Sequence, residues 1–220
     1  MAIIKHKDQR VAVFIDTQNL YHSAKNLYKA RVNFANVLKE AVAGRQLIRA
    51  AAYVVTTESG EERAFFDALT KMGIETKTKE LQVFYGGAKK ADWDVGMAVD
   101  AIKISDRIDA IILATGDGDF IPLVEYLKTH GVQTEVISFG KSSSSRLREA
   151  ADEFIDMSEQ PRKFLLGNRF SLPGVTPGAP VIPATGSHPE IEDHTSEVYD
   201  DSEIDGEPQV VGSDTDEKER

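Results

Sequence analysis

Over the first 170 positions, apolar residues follow two rhythms that take turns. Compact apolar runs, RVAVFID (10–16), QLIRAAAYVV (46–55), DAIILAT (109–115) and VQTEVISF (132–139), have the length and β-branched content of buried strands. IETKTKELQVFY (74–85) alternates as a strand would, GGAKK (86–90) follows as a basic loop, and FIDM (154–157) is one further short strand. Between these runs the spacing changes to three and four. In TQNLYHSAKNLYK (17–29), Leu20, Ala24 and Leu27/Tyr28 share a helical face, and in DWDVGMAVDAIKIS (92–105) Trp93, Met97, Ala101 and Ile104 do the same. NFANVLKEAVAG (33–44) and EERAFFDALTKMG (61–73) read as helices stopped by glycine. DFIPLVEYLKTH (119–130), a short helix around SRLREAA (145–151) and a terminal helix over 161–170 complete the series.

Strands alternating with helices predict an α/β fold, a three-layer Rossmann-like domain over residues 8–160 with a central, mainly parallel sheet. In such sheets ligands bind beyond the carboxyl ends of the strands. Asp16 ends the first predicted strand, and Asp117 and Asp119, in ATGDGDF (114–120), follow a later one. If those strands are neighbours, the three carboxylates face one crevice.

Composition changes abruptly after residue 170. Residues 171–220 hold six of the eight prolines, no Phe or Trp, and thirteen acids against Lys218 and Arg220. That segment carries −11 of a whole-chain charge of −10, which leaves +1 for residues 1–170, so the acidic balance says little about partners of the folded part. Low hydrophobicity with high charge cannot offset the entropy lost on ordering, and the segment is predicted to be a disordered acidic, Pro-rich tail. The absence of cysteine excludes disulfides, thiolate zinc sites and a cysteine nucleophile. MAIIKHKDQR lacks the apolar stretch of a signal peptide, and no run approaches the ~18 apolar residues of a membrane span, so a soluble, cytoplasmic protein is expected.

Asp94 opens the helix beginning at DWD. Each acid has a local explanation: Asp92 as a helix cap, Asp94 as a partner of the helix dipole, Asp119 as a cap of the helix after it. Together they ask for more, because three or four converging carboxylates without basic partners would repel by several kcal/mol, on the order of a few pKa units. A hard divalent cation relieves that repulsion, since Mg2+ and Mn2+ take oxygen ligands and leave positions open for water and phosphate. Such an ion lowers the pKa of its water and stabilises charge on a phosphodiester under in-line attack. Zinc fits less well, because His6, His22, His130, His188 and His194 show no paired ligand spacing. Lys89 and Lys90 precede Asp94, and Lys141, serines 142–145, Arg146 and Arg148 follow the VISF strand. Both stretches could contact backbone phosphates, although exposed polar loops are their ordinary reading. Tyr85 or Trp93 could stack on a base, while the place of Trp93 on an apolar face assigns it to the core.

FIDTQNL (14–20), KKADWDVGMAVDAI (89–102) and ATGDGDFIPLVEYLKTHG (114–131) resemble, in this order, the NYN domain in its LabA-like branch, among the PIN-like nucleases. The resemblance covers residues 8–160 and takes in SSSSRLREAADEFIDM (142–157). It implies a PIN-like parallel sheet and a metal-dependent ribonuclease site hydrolysing RNA phosphodiester bonds. The family's first-strand aspartate and nearby asparagine fall on Asp16 and Asn19, its helix-borne aspartate on Asp94, and its S-G-D-x-D-F motif on residues 115–120, with Thr115 replacing serine. In the implied mechanism Asp16, Asp94 and Asp117 hold one or two Mg2+ or Mn2+ ions, Asp119 assists or orients a water, and Asn19 bonds a carboxylate or the substrate phosphate. Lys89, Lys90, Thr115, Lys141, Ser145 and Arg146 are the expected substrate contacts. Asp100 matches an often acidic position but, six residues after Asp94, points away from it on a helix. The expected partners are RNA, single-stranded or structured, and a second copy in a homodimer, with no membrane. The alternative is a non-catalytic RNA-binding or regulatory module of the same fold, involved in control of gene expression. Retained acids favour catalysis, since a phosphate binder has no use for repelling carboxylates. A haloacid dehalogenase-like phosphatase is rejected because Thr17 and Gln18 follow Asp16 where D-x-D is needed; a Toprim domain, whose strand-end D-x-D Asp117 and Asp119 supply, is a weak alternative, since it pairs that motif with a glutamate on an early strand and this chain offers Asp16.

Overall fold

A computed structural model describes residues 3–56, 63–80, 82–83, 89–90 and 93–166, the two short stretches by their backbone only. In chain order the elements are β1 (Arg10–Asp16), α1 (Thr17–Tyr28), β2 (Arg31–Val32), α2 (Phe34–Val42), β3 (Gln46–Thr56), α3 (Arg63–Lys71) and β4 (Glu75–Glu80). They continue as β5 (Gln82–Val83), β6 (Lys89–Lys90), α4 (Asp94–Ile104), β7 (Ala110–Ala114), α5 (Ile121–Thr129), β8 (Gln133–Ser138), α6 (Ser145–Ala150), β9 (Glu153–Asp156), α7 (Pro161–Phe164) and β10 (Leu165–Leu166). Asp92, predicted as a cap, and the tail from residue 171 lie outside the described residues.

Six strands form one sheet in the order β4-β3-β1-β7-β8-β9, and every neighbouring pair is parallel. The predicted α/β architecture with helices on both faces is therefore present. Period-two alternation sorts the side chains of β1. Val11, Val13 and Ile15 pack with α1, α2 and α3 on one face, while Ala12 and Phe14 pack with α4, α5 and α6 on the other. Because both faces are covered, the central strands read as continuous apolar runs. Burial of each large aliphatic or aromatic side chain contributes roughly 1.5–3 kcal/mol. The chain winds outward from β1 through β3 to β4, then crosses back to β7 and winds the other way through β8 to β9. The winding direction thus reverses between β1 and β7, and a crevice opens at their carboxyl ends.

Two stretches differ from expectation. The single strand predicted over 74–85 is divided: β4 closes the sheet edge with the charged sequence ETKTKE, and Gln82–Val83 pairs antiparallel with Lys89–Lys90. Lys89 and Lys90, expected in a loop, therefore form β6. Charged residues on an edge strand blunt further pairing, so the chain turns back on itself instead of widening the sheet. The terminal helix expected over 161–170 is a single turn, Pro161–Phe164. It ends because the Asn33 amide takes the Phe164 carbonyl at 2.8 Å and Asn36 Nδ2 takes that of Lys163 at 2.6 Å. Leu165–Leu166 then pairs antiparallel with Arg31–Val32, and residues 167–170 lie outside the described residues. Among the described residues no helix is long and apolar enough to cross a membrane.

Candidate functional site

Asp16 occupies the last position of β1 and the N-cap of α1, its Oδ1 accepting from the Asn19 amide at 3.0 Å. A short polar side chain here satisfies one of the four amides that a helix start leaves unpaired. Thr17 Oγ1 donates to the Tyr53 carbonyl at 2.6 Å and so ties the helix start to β3. The other Asp16 oxygen accepts from Thr115 Oγ1 at 3.1 Å, and that hydroxyl oxygen accepts from the Asp117 amide at 3.2 Å. Asn19 Oδ1 accepts from the Gly116 amide at 2.9 Å. Two crossed side-chain bonds thereby lock the carboxyl ends of β1 and β7 together. Asp117 caps a 3-10 turn, Gly118–Phe120, its Oδ1 accepting from the Asp119 amide at 3.0 Å.

Asp94 arrives from the opposite face on α4. Trp93 Nε1 donates to the Val54 carbonyl at 3.0 Å, and Asp100 accepts from the Tyr53 hydroxyl at 2.9 Å and pairs with Lys77 at 2.7 Å. These ties hold α4 against β3 and β4. Trp93 is thus packed against the core, and Asp100 is engaged by Tyr53 and Lys77. Held in this way, Asp94 brings a carboxylate oxygen to within 4.8 Å of oxygens of Asp117 and Asp119, with the three oxygens all that close to one another. Asp94 and Asp117 are half-buried and Asp119 is exposed.

Asp16 is not one of this triplet but feels it. Its carboxyl is raised to about 6: burial pushes it up, the Asn19 amide and Thr115 hydroxyl pull it down, and the charges of Asp94 and Asp117 push it up again. A carboxyl raised above its unfolded value of about 3.9 weakens the folded state as pH climbs from about 4 through 6, and the loss persists above that. In buffer containing a chelator, Asp16→Asn is therefore expected to stabilise the protein by on the order of 2 kcal/mol at neutral pH, with the gain vanishing near pH 4. Urea unfolding of both proteins at the two pH values measures this, and a gain independent of pH would refute it.

Gly116 and Gly118 both lie close against the neighbouring loop. A Cβ on Gly116 would lie 2.7 Å from Ser143 Oγ and 3.0 Å from the Ser143 Cα, while one on Gly118 would lie 3.0 Å from Ser144 Oγ. The Ser144 amide donates to the Gly116 carbonyl at 2.9 Å, so the loop cannot simply withdraw. Gly116→Ala is expected to cost about 1–3 kcal/mol, the range for overpacking, and more than Gly118→Ala, which meets only a side chain. Equal urea midpoints for the two variants would contradict that ranking.

The remaining expected substrate contacts are spread more widely. Lys141, Ser145 and Arg146 are exposed on this loop and at the start of α6. The serines between Lys141 and Ser145 hydrogen-bond within the protein: Ser142 Oγ donates to Ser23 Oγ at 2.8 Å, Ser143 Oγ to the Phe139 carbonyl at 2.8 Å, and Ser144 Oγ accepts from the Leu147 amide at 3.4 Å. The side chains of Tyr85, Lys89 and Lys90 lie outside the described residues. Sequence reasoning missed Asp156, which carries the loop by accepting from the Gly140 amide at 2.8 Å and the Ser158 amide at 2.7 Å. Burial pushes the Asp156 carboxyl up, but those amides more than offset it and hold it below the usual carboxylate range. Its only sequence signal was a place at the end of the FIDM strand.

A profile of the NYN domain matches residues 10–159. The chain is 27% identical over 187 residues to the low amplitude and bright protein LabA of Synechococcus elongatus, covering 80% of this chain and 97% of that protein. It is 27% identical over 158 residues to an uncharacterized protein of Methanocaldococcus jannaschii, covering 70% of this chain and 57% of the other. The crystal structure of a protein of unknown function from Vibrio parahaemolyticus is similar with a TM-score of 0.67 and 28% sequence identity, over 74% of this chain and 100% of that one.

Proposed function

The chain belongs to the NYN domain family and is LabA-like, a member of the PIN-like nuclease superfamily, and on that premise we propose that it is a divalent-metal-dependent ribonuclease. The observation that carries the proposal is the triplet of Asp94, Asp117 and Asp119, with oxygens within 4.8 Å of one another, beside the β1/β7 crevice. The donor set fits a hard cation because it is all carboxylate. Asp94, Asp117 and Asp119 would hold the ion, with Asp16 contributing charge from behind. Bound Mg2+ or Mn2+ would supply a water of lowered pKa and positive charge beside the phosphodiester.

The chain's own residues organise the rest. Asn19 and Thr115 fix the orientation of Asp16 and of the loop that carries Asp117, so the carboxylates are placed before substrate arrives. Trp93 and Asp100 set the depth at which α4 delivers Asp94. Lys141 and Arg146, exposed beside the loop that packs on Gly116, would contact backbone phosphates, as would Lys89 and Lys90 in β6.

The test is incubation of the full-length chain with end-labelled single-stranded RNA in Mg2+, in Mn2+ and in EDTA. Cleavage in either metal and none in EDTA is expected, and the product ladder separates endonuclease from exonuclease action. RNA bound but uncut in both metals would reject the ribonuclease and point to the non-catalytic module.

A further inference from the structure

The carboxyl ends of neighbouring strands carry a polar row. Asp16 of β1 is in register with Tyr53 of β3 and bonds Thr115, the residue after β7, while Ser138 of β8 is in register with Asp156 of β9. Asp156 is the outermost member, with β8 between its strand and β7. Its Oδ1 alone accepts from both the Gly140 and the Ser158 amides, and a Cβ on Gly140 would run into its other oxygen. Gly140 opens the serine loop. The Ser142 amide and the Ser143 hydroxyl both donate to the Phe139 carbonyl, at 2.9 and 2.8 Å, so the loop curls back over the end of β8. Its far end grips Gly116. The Ser144 amide donates to the Gly116 carbonyl at 2.9 Å, and Asn19 Oδ1 accepts from the Gly116 amide at 2.9 Å. Both backbone polar groups of the residue before Asp117 are therefore held, one from α1 and one from the loop rooted at Asp156.

We propose that Asp156 is a positioning residue for the acidic cluster, acting through Gly140, the serine loop and the Gly116 carbonyl on the direction of the Asp117 carboxylate. A cluster of like charges holds an ion only if its oxygens stay aimed at one point, and groups that orient metal ligands commonly change metal affinity by about 10–100-fold when removed. The consequence for metal binding rests on the reading of Asp94, Asp117 and Asp119 as a metal site; the coupling of Asp156 to Gly116 does not. Asp152 provides the contrast. It accepts from the Thr134 amide at 2.8 Å and the Thr134 hydroxyl at 3.2 Å and pairs with Lys128 at 3.0 Å, but it precedes β9, at the end of the strand opposite the crevice.

The test measures hydrogen exchange over residues 115–120 and Mn2+ affinity in the full-length chain, at a temperature where every variant is folded. Asp156→Ala should speed exchange there at least about fivefold and weaken Mn2+ binding at least about fivefold. Gly140→Ala, which forces the same contact apart from the other side, should reproduce both changes. Asp156→Asn should stay within about twofold of the wild type in both, because its side-chain carbonyl can accept the two amides. Asp152→Ala should leave both readings at the wild-type level. Unchanged exchange in Asp156→Ala and Gly140→Ala, equal acceleration in Asp152→Ala, or no rescue by asparagine would each overturn the proposal. So would an unchanged Mn2+ affinity in Asp156→Ala when the wild type binds the ion. A wild type that takes up no Mn2+ would instead reject the metal site, and the exchange rates alone would then decide the coupling.

Discussion

Replacing Asp117 with asparagine is expected to reduce RNA cleavage by at least about a thousandfold, a loss of roughly 4 kcal/mol of transition-state stabilisation. The substitution removes one charge from a triplet whose oxygens lie within 4.8 Å of one another, and with it a donor that a hard cation needs. It should leave the loop in place, because the asparagine Oδ1 can still accept from the Asp119 amide as Asp117 Oδ1 does at 3.0 Å. Stability is therefore expected to change by less than about 1 kcal/mol, the size of a small capping difference. Single-turnover rates in saturating Mn2+, together with melting temperatures, separate the two effects. A variant that cuts within tenfold of the wild type would remove Asp117 from the site.

Arg45→Ala is expected to cost about 3–5 kcal/mol of stability, the range for removing one partner of a buried ion pair. Arg45 and Glu135 are both buried; Arg45 Nη2 donates to Glu135 Oε2 at 3.0 Å and Nη1 to Oε1 at 2.5 Å. Arg45 also reaches the Ala41 and Val42 carbonyls at 2.7 and 3.1 Å, so one guanidinium closes the end of α2 and pins it to β8. Burial pushes the Glu135 carboxyl up, but the hydrogen bonds and charge of Arg45, then the charge of Lys5, hold it below the usual carboxylate range. A carboxyl lowered in the folded state stabilises the protein at neutral pH, and that contribution fades as pH falls through its folded-state value. Arg45→Ala leaves this buried acid with only Lys5 Nζ at 3.1 Å and Gln133 Nε2 at 2.7 Å in place of the two-pronged guanidinium. Arg45→Met combined with Glu135→Leu removes both charges and should recover most of the loss. Urea unfolding at neutral pH tests the pair, and a single-variant cost under about 1 kcal/mol would show that the pair is not needed.

The readable parts of this fold are those whose residues carry one meaning locally. VAVFI in β1 is apolar at every position because helices cover both faces of the sheet, and such a run has few other uses. Asp16 and Asp117 were legible because each follows an apolar run at the point where a parallel sheet binds its ligands. Asp94 was not legible from its neighbours, since an acid in the first turn of any helix suits the dipole; its motif placed it in the crevice. The split of residues 74–85 was hidden because ETKTKE and Gln82–Val83 share one alternation, and which half lies at the sheet edge depends on strands distant in the chain. The serines at 142–144 look the same whether their hydroxyls are free or, as here, hydrogen-bonded to Ser23, Phe139 and Leu147. Arg45 and Glu135 are 90 residues apart, and nothing near either announces the other. On α4 the buried stripe of Met97, Ala101 and Ile104 was read correctly, while the exposed stripe of Val95, Val99 and Ile102 emerged only once the sheet was in place.

Binding of Mn2+ to the full-length chain, followed by loss of the free-ion electron paramagnetic resonance signal, tests the acidic cluster most directly, because it needs neither substrate nor turnover. Wild-type protein should take up the ion, and Asp94→Asn and Asp117→Asn should each bind at least about tenfold more weakly with the fold intact, a difference of roughly 1.4 kcal/mol or more. Equal uptake by the wild type and both variants would contradict the assignment of these carboxylates as a metal site.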